Sequence, residues 1–342
     1  MMSSLFKSMV LLLVLPAAAA AADRVDLANG WKLQSSAKIA AAGDAISKPG
    51  FPTDGWIGTS VPATVLAAQV AAGQFEDPFY GMNLRKIPGA TYPIGENFAN
   101  MAVPADSPYA VSWWYRTEFR LPKNYAGKRV WIHFDGINYR ANVWLNGRKI
   151  ADARDVAGPY RVYDFATETA IDRTGTNVLA VEVFAPGADD LGIDWVDWNP
   201  QPPDKNMGLW GAVSLDATGP VSIVDPGVVT HFADATLAHA DLTVMAQIGN
   251  ASLEPVTGVL TATIDGRRIQ KELKLTGAEH LTVSFDPADY AELRVDHPAV
   301  WWPAGLGAQP LHRLELAFTV KGRVSDRNVS RFGIREVSSE LT

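Results

Sequence analysis

The sequence predicts an all-β protein made of two consecutive β-sandwiches. Three observations support this prediction. Short segments that alternate apolar and polar side chains, which is typical of half-buried strands, recur along the chain. Glycine, proline and Asn-Gly or Asp-Gly turn signals separate these segments. Only one stretch of the 342 residues reads as a convincing helix, and tryptophan nearly disappears after residue 218.

Residues 1–22 read as a secretory signal peptide. Lys7 supplies a positive charge, residues 9–15 are a short apolar run, and the alanines at 17–22 offer small-residue cleavage sites. The run is well short of the ~20 residues needed to span a bilayer, which favours cleavage before Asp23 over an uncleaved anchor. We therefore expect export to the periplasm or the medium.

The overall composition excludes several classes of partner and site. A formal net charge of −7 argues against nucleic acid or an anionic membrane as the main partner. The absence of cysteine excludes disulfides, thiol nucleophiles and thiolate metal sites. The six histidines show no zinc-ligand spacing, so neither a metal site nor a cofactor is predicted. A structural calcium ion stays open, because such sites often use backbone oxygens.

Residues 31–101 predict the mixed beginning of the first sandwich. Residues 31–34 are a short strand, and residues 61–73 are the predicted helix, with a proline in its first turn and a glycine that stops it. Residues 74–101 are predicted to be irregular, around the segment at 77–83.

From residue 111 onward the pattern becomes that of strands. The predicted strands lie at 113–121, 128–135, 141–150, 160–165, 177–184 and 210–216. Asn146-Gly147 is the signal of a type I′ hairpin turn. Several short strands with one helix predict a β-sandwich of jelly-roll type for residues 23–218.

Residues 219–342 are predicted to form the second sandwich, with the join at 218–223. Nine of the eleven tryptophans precede this join. Strands are predicted at 241–249, 257–264, 281–285 and 311–320, and Asp265-Gly266 is a second hairpin turn. About seven strands in such a length is the immunoglobulin-like pattern, here without its Cys–Trp–Cys signature.

The segment 186–213 is predicted to be a long ordered loop, because its prolines exclude a helix or a central strand. It contains Trp195, Trp198 and Trp210 beside several aspartates. An indole face packs against the apolar face of a pyranose, and a carboxylate accepts hydrogen bonds from hydroxyls. The loop is therefore the predicted carbohydrate site.

Several motifs follow one another in this chain. They read WWYRTEF at 113–119, HFDGINYRANVWLNG at 133–147, NVLAVEV at 177–183, DPFYGMNL at 77–84, VDWNPQPPDKNMGLW at 196–210 and FGIR at 332–335. The first three resemble the sugar-binding jelly roll of glycoside hydrolase family 2. The next two resemble its branch of exo-β-D-glucosaminidases and mannosylglycoprotein endo-β-mannosidases. The last resembles the end of that family's immunoglobulin-like domain.

The resemblance also implies what these residues do not contain. In that family a catalytic barrel follows the FGIR strand and carries both catalytic glutamates. Only seven residues follow Arg335, whereas a barrel needs about 250. The resemblance thus predicts no catalytic residue within this sequence, and a catalytic barrel domain or subunit as a partner.

The resemblance implies five candidate sugar-contacting residues. Asp197 matches the aspartate of a Trp-Asp-Trp motif that binds the terminal sugar in related β-mannosidases, although Val196 replaces the first tryptophan. Trp198 follows it, and Trp195 is the alternative aromatic. Asn83 is expected to face the same cleft, and Arg335 resembles the family arginine near the barrel site. Turn formation and loop packing are the competing roles for these residues.

The sequence therefore predicts the N-terminal part of a retaining β-glycosidase. Its ligand is expected to be a β-linked oligosaccharide or glycan, either a β-glucosaminide or a β-mannoside. Two alternatives stay open. The chain is either a free-standing carbohydrate-binding protein without hydrolysis, or an inert structural fragment of a split gene.

Overall fold

The computed structural model describes residues 24–90, 92, 102–193 and 199–339. Strands dominate these ranges and build two sandwiches, each around its own apolar core, which confirms the predicted all-β class. No helix within the described ranges is long and apolar enough to cross a membrane.

The first sandwich packs a four-stranded sheet against a six-stranded sheet. The four-stranded sheet has the order β1-β12-β6-β9, the six-stranded sheet β3-β2-β5-β10-β7-β8, and β4 pairs with β11 alone. The strands are β1 (Val25–Asp26), β2 (Trp31–Ser35), β3 (Ile57–Thr59), β4 (Ala63–Thr64), β5 (Trp113–Phe119), β6 (Arg129–Phe134), β7 (Arg140–Leu145), β8 (Arg148–Ala151), β9 (Tyr163–Ala166), β10 (Asn177–Phe184), β11 (Gly208–Leu209) and β12 (Val213–Thr218).

Local sequence explains the hairpin and the helix of this sandwich. Asn146 and Gly147 join β7 to β8 with φ angles of 50° and 86°, as the predicted type I′ turn requires. The helix α2 (Val65–Ala71) begins later than predicted, because the Thr64 side chain caps it by accepting a hydrogen bond from the Ala67 amide at 3.1 Å. The pattern did not predict two single-turn helices, α1 (Gly43–Ile46) and α3 (Asn83–Lys86). Three short 3-10 turns lie at Ser36–Lys38, Lys123–Tyr125 and Ala291–Leu293.

The second sandwich packs two four-stranded groups. One contains β13-β14-β17 with β18 paired to β14, and the other has the order β16-β15-β19-β20. The strands are β13 (Val221–Phe232), β14 (His239–Asn250), β15 (Val256–Ile264), β16 (Arg267–Leu275), β17 (His280–Phe285), β18 (Arg294–Asp296), β19 (His312–Val320) and β20 (Arg323–Phe332). Asp265 and Gly266 form the predicted second turn, with φ angles of 46° and 88°.

Hydrogen bonds tie the connection between the sandwiches to β20. The Gly219 amide donates to the Ser325 carbonyl at 2.6 Å. The Val221 amide donates to the Ser325 hydroxyl oxygen at 2.9 Å. Trp131 of β6 donates its indole N–H to the Thr218 hydroxyl at 3.1 Å. The last strand of the first sandwich therefore runs into a hydrogen-bonded connection instead of a free linker.

Candidate functional site

The proline-rich loop is held against the first sandwich by backbone pairing. Gly208 and Leu209 pair antiparallel with Thr64 and Ala63, so the predicted loop contains one two-residue strand. That pairing is compatible with the sequence because it lies beyond the prolines. Trp210 donates its indole N–H to the Pro159 carbonyl at 2.8 Å and packs against the Tyr160 ring, and both contacts fix the indole.

Asp204 is the buried anchor of this loop. One carboxylate oxygen accepts from the Leu66 amide at 2.8 Å, in the first turn of α2, and the other accepts from the Asn206 amide at 2.9 Å. Burial raises the pKa of Asp204 to about 6, although these hydrogen bonds favour the charged form. Asp204 thus closes a turn with Asn206 and also joins the loop to a helix far away in the sequence.

Neutral phenols of the core lie around Asp204. Tyr115 donates its hydroxyl to the Ala63 carbonyl at 3.0 Å, and Tyr109 donates to the Gln69 side chain at 2.9 Å. Burial, together with the negative charge of Asp204, raises the pKa of both phenols. These groups stay protonated near neutral pH, so they serve as hydrogen-bond donors to β4 and α2, the elements that contact the loop.

Asn138 is a second anchor, which the sequence did not predict. Its side chain is fully buried and its amide group donates to the carbonyls of Lys205 and Asn206 at 2.8 and 2.9 Å. Those two residues have φ angles of 49° and 54°, a left-handed turn that asparagine tolerates well. The backbones of Asn138 and Gly208 also exchange two hydrogen bonds. A local pattern could not reveal Asn138, because its partners are 67 and 68 positions away.

Both sides of the segment 194–198 are fixed. On the preceding side, Arg140 forms an ion pair with Asp190, whose other oxygen accepts from the Gly187 amide at 2.9 Å. On the following side, the Tyr92 hydroxyl donates to the Gln201 carbonyl at 2.9 Å. The chain entering and leaving this segment is therefore held by side chains of the sandwich.

Three of the predicted sugar contacts, Trp195, Asp197 and Trp198, lie outside the described residues. Their assignment stays a prediction. The structure does describe Asn83, whose amide group donates to the Asp77 carbonyl at 3.0 Å and whose side-chain oxygen accepts from Lys86 at 2.9 Å. The side chain thus holds its own loop together.

The loop around Asn83 exposes large apolar side chains. Phe79 is 97% exposed, Tyr80 76% and Met82 63%. Exposed apolar side chains so close together are typical of surfaces that contact a ligand or another domain. Asn83 therefore supports this apolar surface through its contacts with Asp77.

We expect Asn83→Ala to lower the free energy of unfolding by only about 1 kcal/mol, because two partly exposed hydrogen bonds are lost. Urea denaturation measures this change. If the variant keeps wild-type stability but loses affinity for a β-linked oligosaccharide, Asn83 contacts the sugar directly and the loop-supporting role is wrong.

Arg335 lies in the second sandwich, just after β20. Its guanidinium carbon lies 5.4 Å from the centre of the Trp301 ring. It lines a cavity of about 330 Å³ together with Trp302, Asp234 and Glu336, and every lining residue comes from the second sandwich. The described structure therefore does not bring Arg335 together with Asn83, and its role near an active site stays a prediction.

Comparison with known families gives this architecture an identity. Residues 94–194 match the family described as glycosyl hydrolase 2 galactose-binding domain-like. Residues 221–335 match the family described as glycosyl hydrolases family 2. The chain belongs to glycoside hydrolase family 2. The matched ranges correspond to the N-terminal galactose-binding-like and immunoglobulin-like domains of this family.

Similar proteins extend far beyond these two domains. The exo-β-D-glucosaminidase of Streptomyces avermitilis is 37% identical over 92% of this chain and 32% of its own length. That of Amycolatopsis orientalis is 35% identical over 94% of this chain and 29% of its own length. The crystal structure of the A. orientalis exo-chitosanase CsxA superimposes with a TM-score of 0.80 at 34% identity, covering 93% of this chain and 34% of that one. The chain spans about a third of the length of these relatives.

Proposed function

We propose that the two sandwiches are the N-terminal part of a retaining β-glycosidase that removes terminal β-linked glucosamine or mannose. The observation that carries this proposal is 37% identity to an exo-β-D-glucosaminidase along 92% of the chain. The catalytic glutamates are assigned to a barrel domain, in the same polypeptide or in a second subunit. Retention requires two carboxyl groups about 5–5.5 Å apart, which that barrel would supply.

Within this enzyme the first sandwich provides loops that contact the sugar. We assign Asp197, Trp198 and Trp195 to that contact. The contacts of Arg140 with Asp190 support this assignment, because they restrict the chain just before the three residues. A loop held in place before the ligand arrives loses less conformational entropy on binding. We also propose that the protein is exported after removal of residues 1–22.

The size of the native protein tests the enzyme proposal. An antibody against the first sandwich is used on a denaturing gel and on column fractions of the source organism's extract. We expect β-glucosaminidase or β-mannosidase activity to co-elute with the recognised protein, which is either larger by a barrel domain or accompanied by a barrel subunit. A band near the size of residues 23–342 without a co-eluting barrel contradicts the proposal and favours a binding protein or an inert fragment.

Replacing Trp198 with Ala tests the sugar contact. Loss of one stacking indole is expected to weaken binding to immobilised chito- or manno-oligosaccharides about tenfold or more, because a buried aromatic contact contributes on the order of 1–3 kcal/mol. Leu253→Ala is the control, since this apolar side chain is 88% exposed in the second sandwich, does not line the cavity of Arg335 and should leave binding unchanged. If both variants bind the oligosaccharides as tightly as the wild type, Trp198 does not belong to the site. If neither the variants nor the wild type bind, the result favours the inert fragment.

A further inference from the structure

The outer face of the four-stranded sheet carries a group of polar side chains that the proposed sugar contact does not use. Strand alternation places them there. Ile132 and Phe134 of β6 and Leu215 of β12 are fully buried in the core of the first sandwich. Their neighbours His133 and Ser214 therefore point to the opposite face of the sheet. The same alternation puts on that outer face the side chains of Asp26, Trp131, Asp164 and Asp216.

His133 is the centre of this group. Its Nδ1 lies 2.7 Å from a carboxylate oxygen of Asp164, directly opposite it on β9. Its Nε2 lies 2.8 Å from a carboxylate oxygen of Asp135. Arg24 contacts the other oxygen of Asp135 at 3.2 Å. A carboxylate on the far nitrogen of an imidazole is the support that metal-bound histidines usually have, because it fixes the ring and its tautomer.

Asp216 brings a third ligand to the same place. One potential ligand atom from each of His133, Asp164 and Asp216 lies within 4.8 Å of the others. Zinc binds nitrogen and oxygen ligands tetrahedrally at about 2.0–2.2 Å, so the ligand atoms around one ion lie about 3.3–3.6 Å apart. Side-chain rotations that bring the three groups about 1 Å closer together allow them to share an ion.

Two polar groups in this cluster lack a protein partner among the described residues. Ser214 is fully buried, and its hydroxyl has no hydrogen-bond partner there. It lies between His133 on one neighbouring strand and Asp26 on the other, so its side chain points into the cluster. No hydrogen bond or ion pair is present in the described structure for the half-buried carboxylate of Asp216. Buried polar groups without partners are unfavourable unless an ion or ordered water satisfies them.

The charges of this face also favour a cation. Four carboxylates, those of Asp26, Asp135, Asp164 and Asp216, lie on this face, and Arg129 of β6, which points to the same side, pairs with Glu168 instead of with any of them. Arg24 contacts Asp26 and Asp135. In the described structure, the carboxylates of Asp164 and Asp216 have no arginine or lysine contact. Their negative charge lies beside Nδ1 of the imidazole, which contacts Asp164.

We propose that Nδ1 of His133 and the carboxylates of Asp164 and Asp216 bind a divalent transition-metal cation of the zinc or manganese class. The buried hydroxyl of Ser214 lies beside the ion as a further ligand or as the partner of a metal-bound water. The imidazole ligand favours zinc over calcium and magnesium, which prefer oxygen ligands, and the two carboxylates also suit manganese. The ion links β6, β9 and β12 and so stabilises the sheet that leads into the second sandwich.

Metal binding by the full chain at pH 8 tests this proposal. After treatment with a chelator and dialysis, zinc or manganese chloride is added in a calorimetric titration, and bound metal is measured by mass spectrometry. We expect one ion per chain and a higher melting temperature with the ion. Calcium chloride should bind at least about tenfold more weakly, since imidazole is a poor calcium ligand.

Asp216→Asn is the decisive variant. The Asp216 carboxylate makes no hydrogen bond in the described structure. If these side chains bind no metal, Asp216→Asn should therefore leave the stability unchanged or raise it, and any metal bound elsewhere should bind as before. The proposal predicts at least about tenfold weaker binding, since loss of even a supporting group has that effect. If Asp216→Asn folds poorly, Asp164→Asn tests a second proposed ligand, and we expect the same weakening of metal binding.

His312→Asn is the matched control. His312 also contacts an aspartate, Asp265, at 2.6 Å, and its side chain is 15% exposed, compared with 14% for His133. We expect His312→Asn to keep the bound ion and His133→Asn to lose it. No saturable binding of zinc or manganese to the wild type overturns the proposal, and so does binding that Asp216→Asn leaves unchanged.

Discussion

Replacing Asp204 with Ala is expected to lower the free energy of unfolding by about 3–5 kcal/mol, because it leaves two buried amides unsatisfied at about 1–3 kcal/mol each and also removes packing. The amides are those of Leu66 and Asn206, at 2.8 and 2.9 Å from the carboxylate. Urea denaturation at pH 7 measures the change. Asp204→Asn should lose less, because it keeps one acceptor and removes a buried charge.

The pH dependence separates the charge of Asp204 from its hydrogen bonds. Burial raises the pKa of Asp204 in the folded protein to about 6, above the value of about 4 in an unfolded chain. Between those values the folded state binds the proton more strongly than the unfolded state. The contribution of Asp204 to stability is therefore fully present below about pH 4 and is lost as the pH rises through about 6.

Comparison with Asp204→Asn isolates this contribution, because the amide does not titrate. We expect the difference in unfolding free energy, wild type minus variant, to fall by about 2–3 kcal/mol between pH 4 and pH 7. A difference that rises over this interval would show that the Leu66 and Asn206 amides lower the pKa more than burial raises it. In that case Asp204 is a stabilising charge at the start of α2.

Replacing Gly208 with Ala is the second change with a large expected effect. A Cβ atom at this position would lie 2.5 Å from the Tyr115 hydroxyl, 2.7 Å from the Thr64 Cα and 2.8 Å from the Ala63 carbonyl oxygen. Two of these atoms belong to the backbone of β4 and cannot rotate away. The φ angle of Gly208 is also +151°, a backbone conformation that residues with a side chain rarely adopt.

We expect Gly208→Ala to lower the free energy of unfolding by about 3 kcal/mol or more, the sum of overpacking and backbone strain. Gly50→Ala is the matched control, since Gly50 has a φ of +79° and no atom within 4 Å of the added Cβ. Strain alone should cost the control about 1–2 kcal/mol. Equal losses in the two variants would show that β4 and β11 separate without cost and that the loop is not fixed by this contact.

The same contact predicts a consequence for the sugar site. Gly208 holds the end of the loop that follows residues 194–198. A Gly208→Ala variant that still folds is therefore expected to bind oligosaccharides more weakly than the wild type, as Trp198→Ala is. Melting temperature and affinity are measured on the same preparation, so that loss of fold is not mistaken for loss of binding.

The sequence by itself determined the two hairpin turns and many of the strands, but it did not predict β13 or β20. Alternation along β6 and the chemistry of Asn146-Gly147 and Asp265-Gly266 act within a few residues, so the pattern alone predicts them. The sequence also determined the family, through motifs that follow one another along both sandwiches. The predicted start of α2 is four residues too early, because the Thr64 side chain caps the helix.

Only the tertiary structure decided how the anchors of the loop come together. Asp204 is 138 positions from Leu66, and Asn138 is 68 positions from Asn206. The register of β6 with β9 and β12 similarly places His133 beside Asp164 and Asp216, although no local spacing joins them. Such contacts depend on which strands pair and in which register, and a one-residue shift would turn each side chain to the other face. Local sequence patterns predict strands, whereas the sites depend on how strands that are distant in the sequence pair with one another.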